Sequence, residues 1–185
     1  MMATTRHRAA TAVKIIAGNK SGQAAVEFAL IATAMLLLLC AVIDFGRALN
    51  YMQVMVGLTR QGSNLASRGT SLSDAAAAVI AGEAPLDIST SGEVIVTSVT
   101  NTNNVNEVTG QVTAGALSLA SKIGKYVANN ANASKATVPS AANLELQNGQ
   151  TIYVTEVYYD YNPITPIGHL MTITMPSTLY QAAYF

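Results

Sequence analysis

The feature that most constrains this chain is an uninterrupted apolar run near its start. Ala24 to Ile43 is 20 residues long, and the carboxylate of Glu27 is its one formally charged group. At 1.5 Å of rise per residue, a helix of this length measures roughly 30 Å, which is the thickness of the hydrocarbon core of a bilayer. The sequence therefore predicts a membrane-spanning helix at about residues 24–43.

The charges on either side of this run predict its orientation. Four of the ten Lys and Arg residues precede it, namely Arg6, Arg8, Lys14 and Lys20, and no acidic residue comes before Glu27. Positive flanks stay on the cytoplasmic side, so we expect a cytoplasmic N-terminus and a chain that leaves the inner membrane at about Asp44. Without residues 1–22, six cations face ten acids, a net charge of −4. This part has no basic footprint for nucleic acid.

A small-residue pair, Ser21-Gly22, stands directly before the apolar run. An ordinary secretory signal has its cleavage site after the apolar region. The inverted order suits a peptidase that cuts after Gly22 at the cytoplasmic face and leaves the apolar helix on the product, with Gln23 as its first residue. The alternative is an uncleaved signal anchor.

Glu27 is unusual because a carboxylate inside a spanning helix is costly, and such a residue is a functional hypothesis by default. Cleavage after Gly22 would give Gln23 a free ammonium group four residues before Glu27. This pair closes more readily between neighbouring helices offset in a stack than within one helix end. We therefore predict a role for Glu27 in assembly; the alternative is a snorkelling or neutral side chain.

These residues resemble a known family. The segment from Gly22 to Leu30, with Gly before the cut and Glu as the fifth mature residue, is similar to the type IV prepilin site. The segments 43–47 (IDFGR) and 148–163 (NGQTIYVTEVYYDYNP) resemble TadE-like pseudopilins of the tight-adherence (Flp-type) pilus system. Many pilins have Phe where this chain has Gln23, so methylation of the new N-terminus does not follow from the resemblance.

The resemblance implies a function and partners. The chain would be a minor pilin or pseudopilin that acts in pilus assembly, in priming, or at the tip in surface adhesion, since 163 residues from Gln23 exceed a major Flp pilin in length. Its partners would be other pilins, the prepilin peptidase and the inner-membrane assembly platform, and its location after assembly the pilus or cell surface. The alternative function is a signal-anchored periplasmic binding or adhesion protein.

The helix is expected to continue beyond the membrane. Apolar residues recur at three- and four-residue spacing, as in Ala48, Leu49, Met52, Met55 and Val56. Arg68-Gly69 is typical of a helix end, so we predict a leader at 1–22, a long helix at 23–68 and a globular part at 69–185. Asp44 and Arg47 are three residues apart and share a helix face. They are interpreted as a solvated surface pair, with an assembly contact as the alternative.

The globular part shows mixed signals. Ser73-Asp74 predicts the cap of a helix that runs through Ile80 and ends at Gly82. Further predictions are a strand at 93–100, an Asn-rich turn at 101–106, a helix at 114–128, a surface loop at 129–134, and strands at 151–161 and 169–175. The fold class is therefore α+β: a long N-terminal helix whose first half spans the membrane, a small C-terminal antiparallel sheet, and one or two short helices.

Catalytic patterns were not found in the sequence. It contains no HExxH, no paired-cysteine metal site, no phosphate-binding glycine loop and no GxSxG, and its two histidines are His7 and His169. We therefore predict a protein that is not an enzyme and that needs no cofactor and no metal. Four tyrosines, Tyr153, Tyr158, Tyr159 and Tyr161, are interpreted as core residues of a strand, with an exposed docking surface as the alternative.

Overall fold

The computed structural model describes residues 20–130, 134–138, 146–166, 168 and 177–185. Three helices and four strands follow one another in the part of the chain that it describes. The helices are α1 (Lys20–Ser67), α2 (Leu72–Ala81) and α3 (Ile88–Ser91), and the strands are β1 (Gly92–Thr102), β2 (Val105–Gly115), β3 (Thr151–Asp160) and β4 (Thr178–Tyr184). This arrangement confirms the predicted α+β class.

Helix α1 is continuous over 48 residues, a length of roughly 72 Å. It ends where the sequence predicted, because Gly69 adopts a φ of +90° that favours glycine. The main-chain N–H groups of Gly69 and Thr70 donate to the carbonyl oxygens of Ala66 and Leu65 at 3.1 and 3.2 Å. These bonds satisfy carbonyls of the last turn and close the helix.

The four strands form one antiparallel sheet in the order β2-β1-β3-β4. Strands β1 and β2 are joined by a two-residue turn at Asn103 and Asn104, whose φ angles of 53° and 63° are those of the turn type that asparagine tolerates in hairpins. The predicted turn is confirmed, but the strand that follows it, β2, was not predicted. Strand β3 was predicted as observed apart from one residue at its end.

The main hydrophobic core lies between one face of this sheet and the helices. Second-half residues of α1, including Ala48, Met55, Leu58 and Ala66, pack there with Ala75, Ala76 and Val79 of α2 and with Val94, Val96 and Val157 of the sheet. The second half of α1 and the sheet therefore belong to the same hydrophobic core. We therefore expect the smallest folding unit to begin near residue 44 and not near residue 70.

The opposite face of the sheet is covered by the chain after β2, and here a prediction is wrong. Residues 114–128 were predicted to be a helix, but 114 and 115 belong to β2, and the following residues run as an irregular loop. Sheet carboxylates hold the main chain of this loop: Leu119 N donates to Glu93 Oε2 at 2.6 Å, and Lys122 N donates to Glu156 Oε1 at 2.9 Å. N–H groups engaged in this way are not available for helical bonds.

Three further predictions concern local elements. Helix α2 begins two residues earlier than predicted because Ser71, not Ser73, is the N-cap. Its hydroxyl accepts from Asp74 N at 3.1 Å, and Gly82 is the C-cap. The predicted strand at 169–175 lies outside the described residues, whereas β4 was not predicted. Tyr158 and Tyr161 are buried and Tyr153 and Tyr159 partly buried, which confirms the interpretation as core residues.

Candidate functional site

The first half of α1 has no partner among the residues that the structure describes. The helix is long and apolar enough to cross a membrane, and none of its most apolar window is buried. A core helix of similar composition would be covered by its own protein. The exposed large side chains are Val26, Phe28, Leu30, Ile31, Met35, Leu36, Leu37, Leu38, Leu39, Val42 and Ile43. This surface therefore fits a lipid or helix environment.

The predicted processing site lies at the beginning of this helix. Because α1 begins at Lys20, the peptide bond between Gly22 and Gln23 is part of its first turns in the uncut chain. The side-chain amide of Gln23 donates from Nε2 to Glu27 Oε1 at 2.9 Å, and both side chains are exposed. The uncut chain thus gives Glu27 a neutral hydrogen-bond partner on its own helix. The cleavage after Gly22 and the assembly role of Glu27 stay predictions.

The exposed apolar first half of α1, residues 22–43, is called the bare half below, and it ends at Asp44. The interpretation of Asp44 as a solvated surface residue is wrong. Only 1% of its surface is exposed. Its Oδ1 accepts from the main-chain N–H groups of Ile164 at 3.1 Å and Thr165 at 3.4 Å, and its Oδ2 accepts from the Thr165 hydroxyl. The carboxylate fastens the loop after β3 to the helix; we call these contacts the Asp44 clasp.

Two more residues complete the Asp44 clasp. The phenol of Tyr161 donates to the main-chain carbonyl of Asp44 at 2.7 Å. Gly168 is buried beside the carboxylate, and a Cβ at this position would overlap Pro163 and lie 3.0 Å from Asp44 Oδ2. Burial raises the pKa of the Tyr161 phenol, and the nearby charge of Asp44 raises it further, so this donor stays protonated at neutral pH.

Arg47 makes a separate set of contacts and no ion pair with Asp44. Its Nη2 donates to the Tyr51 hydroxyl at 2.7 Å, and its guanidinium carbon lies 5.3 Å from the centre of the Tyr51 ring. Tyr51 in turn meets Tyr159 and Tyr161 edge to face, with ring centroids 5.4 and 5.8 Å apart. Arg47 and three tyrosines therefore join α1 to β3 just above the apolar half.

A buried carboxylate on the other face of the sheet was not recognised from the sequence. Glu156 has 0% exposure and accepts from the hydroxyls of Ser121, Tyr158 and Tyr180, the last at 3.0 Å. Burial and then the charge of Glu156 raise the pKa of Tyr158 and of Tyr180 well above the usual range. A charge in the middle of an otherwise apolar strand was the available signal. The network fastens the loop at 116–124 to the sheet.

The comparison with protein families agrees with the position of these features. A family model described as TadE-like protein matches residues 22–64. This segment is TadE-like. The match confirms the predicted resemblance for this part of the chain, where it covers Gly22, Glu27, Asp44 and Arg47. It ends before the sheet begins, so the resemblance of segment 148–163 stays a prediction. The comparisons with curated proteins and with solved structures found no match.

The match and the geometry together indicate what kind of protein this is. TadE-like proteins are associated with the Tad pilus and are structural, not catalytic. A long apolar helix near the N-terminus fits a single-pass membrane protein of such a system. We call the globular part after α1, residues 69–185, the head. Its residues Tyr161, Ile164 and Thr165, which bind Asp44 of α1, lie outside the matched segment, and these contacts were not predicted.

Proposed function

We propose that this chain is a minor pilin or pseudopilin of a Tad-type pilus, which a prepilin peptidase cuts after Gly22. The observation that supports this most is the combination of a bare apolar half-helix with a compact head in one chain whose helix is TadE-like. Such a helix has two environments available to it, the bilayer before assembly and the helices of sister pilins afterwards. Its N-terminus faces the cytoplasm and its head the outside.

In this proposal the leader, residues 1–22, keeps the uncut chain in the membrane. It contains four cations, and a Lys or Arg at the bilayer centre costs about 2.5–3.5 kcal/mol on insertion scales. Extraction of the uncut chain through the membrane would carry all four across, whereas the cut chain carries one new ammonium at Gln23. Cleavage therefore makes transfer from the bilayer into a filament easier, where the helices pack by their apolar surfaces.

Glu27 is the residue to which we assign subunit docking. After cleavage, the Gln23 side-chain amide can still donate to Glu27 on its own helix. The new ammonium group of Gln23 then needs a negatively charged partner elsewhere. A neighbouring helix shifted along the stack brings the two charges together in a low-dielectric environment, where an ion pair is much stronger than in water. The head then lies on the outside of the filament or at its tip.

Two experiments test the proposal. The first is mass spectrometry of the membrane-bound protein from cells carrying Gly22→Leu, with Gly46→Leu as the control; the Gly22 variant should keep the full-length mass. Processing of the Gly22→Leu variant to a mature form, as in the Gly46→Leu control, would place the cut elsewhere. An uncut wild-type protein would support the alternative, an anchored periplasmic binding or adhesion protein.

The second experiment concerns Glu27→Leu and Glu27→Gln. Both variants should insert and be cut normally, because removing a carboxylate lowers the cost of insertion. Both should be depleted from sheared pili, with Thr33→Val, an exposed position on the same helix, as the control. Quantitative immunoblots of pili and membranes from the same cells measure the ratio, and wild-type amounts of Glu27→Leu in pili would exclude the docking role.

A further inference from the structure

The exposed apolar surface of the protein does not stop at the end of the span. Phe45 and Leu49 on α1 are 49% and 43% exposed, although they follow Asp44, and Ile164 in the loop after β3 is 63% exposed. Beyond Leu49, the large apolar side chains of α1 are buried or partly buried. The apolar surface therefore continues for about one and a half turns above the clasp and includes one residue from the head.

Ile164 is fixed at the same level as the end of the span. Its main-chain N–H donates to Asp44 Oδ1 at 3.1 Å, and Asp44 directly follows the last residue of the apolar run. The side chain of Ile164 takes no part in this bond. The clasp thus holds the main chain in place and leaves the apolar side chain of Ile164 exposed.

The length of the apolar surface exceeds the hydrocarbon core. From Val26 to Leu49 there are 24 residues, which is roughly 36 Å of helix, against about 30 Å of hydrocarbon. Some exposed apolar residues at one end must therefore lie in the interfacial zone. Asp44, which the loop after β3 holds, and Arg47 place polar groups at the outer end of this surface, as expected for that zone.

We propose that Phe45, Leu49 and Ile164 form an apolar collar that binds the lipid surface at the boundary between acyl chains and headgroups. The partner is the outer leaflet of the membrane that α1 spans, because the collar is continuous with the span and begins where the span ends. Tyr51 and Arg47 lie beside it, and tyrosines and basic residues are common anchors at this depth. The collar seats the head against the bilayer before assembly.

Two other exposed apolar residues of the head, Val105 and Phe185, do not share this position. Val105 lies at the tip of the β1–β2 hairpin, and Phe185 pairs with Tyr153 at the opposite end of the sheet from the clasp. The Ser63 hydroxyl donates to the carbonyl of Ala183 beside that end, 19 residues of α1 above Asp44, which is roughly 28 Å. Phe185 is 49% exposed and therefore serves as a control matched in exposure.

The chain contains no tryptophan, so one substitution introduces a single tryptophan, which can be excited at wavelengths that tyrosine does not absorb. Ile164→Trp and Phe185→Trp are made in the full-length protein and reconstituted into phosphatidylcholine–phosphatidylglycerol vesicles, with and without lipids brominated near the headgroup end of the acyl chain. Trp at 164 should emit at shorter wavelength than Trp at 185 and should lose emission with the brominated lipid. Trp at 185 should show neither effect.

Two outcomes would overturn the collar. One is equal emission and equal quenching at the two positions. The other is a blue shift at position 164 that appears only at high protein-to-lipid ratio and is insensitive to brominated lipid, which would mean that a second copy covers the residue. If Ile164→Trp alters the circular dichroism, Leu49→Trp reports on the same collar from α1. The assay contains no other pilus component, so the collar and the proposed pilus role can fail independently.

Discussion

The two halves of α1 differ in their surroundings, although they belong to one unbroken helix. Residues 22–43 have apolar side chains all around the axis, and most are exposed. From Asp44 to Ser67 the apolar side chains Ala48, Met55, Leu58 and Ala66 are buried on one side, while Asn50, Gln53 and Arg60 are exposed on the other. A helix that is apolar all round needs lipid or other helices, and an amphipathic one needs a single partner, here the sheet.

The change from one half to the other begins at Asp44. Asp44 is the first buried side chain of α1, and it is a charged one. Its hydrogen bonds to Ile164 and Thr165 stabilise the carboxylate and hold the loop after β3 on the helix. The difference between the two halves shows that α1 first meets the head through a polar contact and not through an apolar one. The predictions below test this division, beginning with the largest effect.

The largest effect is expected from truncation. A fragment of residues 41–185 should fold, whereas a fragment of residues 70–185 should not, because the second removes Met55, Leu58 and the other α1 residues of the core. Losing one large buried apolar side chain costs about 2–5 kcal/mol, and a whole domain is stable by only about 5–15 kcal/mol. Circular dichroism and thermal unfolding in detergent measure the difference. A cooperative transition in the shorter fragment would show that the sheet does not need the helix.

This division explains what the sequence could and could not predict. The apolar run, the end of α1 near Ser67 and strand β3 were predicted because each depends on local pattern. The burial of Asp44 was missed because it depends on a loop some 120 residues later in the chain. The loop at 116–124 was predicted as a helix from its spacing. Its conformation is instead set by Glu93 and Glu156, whose positions in the sheet no local pattern reveals.

The next effect concerns the clasp. Asp44→Ala should lower the free energy of unfolding of the head by roughly 1–3 kcal/mol, because it leaves the N–H of Ile164 and the hydroxyl of Thr165 without their acceptor. Asp160→Ala removes an exposed carboxylate at the end of β3 and is the control. Thermal unfolding of the full chain in detergent measures both. Equal melting temperatures for the two variants would mean that the clasp adds nothing to stability.

Two glycines in the second half of α1 offer a smaller, matched test. At Gly62 a Cβ would lie 2.7 Å from Thr155 Oγ1 and 2.8 Å from Val79 Cγ2, whereas at Gly57 nothing lies within 4 Å. Gly57→Ala should stabilise the head by up to about 1 kcal/mol through helix propensity. Gly62→Ala should destabilise it by on the order of 1–2 kcal/mol, because overpacking outweighs that gain. Opposite shifts in melting temperature are expected; shifts of the same sign would mean that α1 does not press on β3 at Gly62.

The smallest effect is one of pH, and it should again separate the two halves of the molecule. All eight tyrosines lie at residue 51 or later, so the bare half of α1 contains none. Burial, and then the charge of Glu156, raises the pKa of Tyr158 and Tyr180 in the folded head. Their contribution to stability is fully present below about pH 10, where an unfolded phenol ionises, and is lost as the pH rises further. The head should therefore lose stability above about pH 10.

Phenylalanine substitution tests whether these two phenols cause the loss. Tyr180→Phe removes a group that ionises in the unfolded chain but resists ionisation in the folded one, so the decline in melting temperature above about pH 10 should become shallower. At neutral pH the same variant should be slightly less stable, by about 0.5–1.5 kcal/mol, because Glu156 loses one donor at 3.0 Å. Tyr126→Phe removes an exposed phenol and is the control. Because the bare half has no tyrosine, helical dichroism from residues 22–43 should survive the alkaline transition. An alkaline decline of equal slope in wild type and Tyr180→Phe would show that this phenol stays as ionisable in the head as in the unfolded chain.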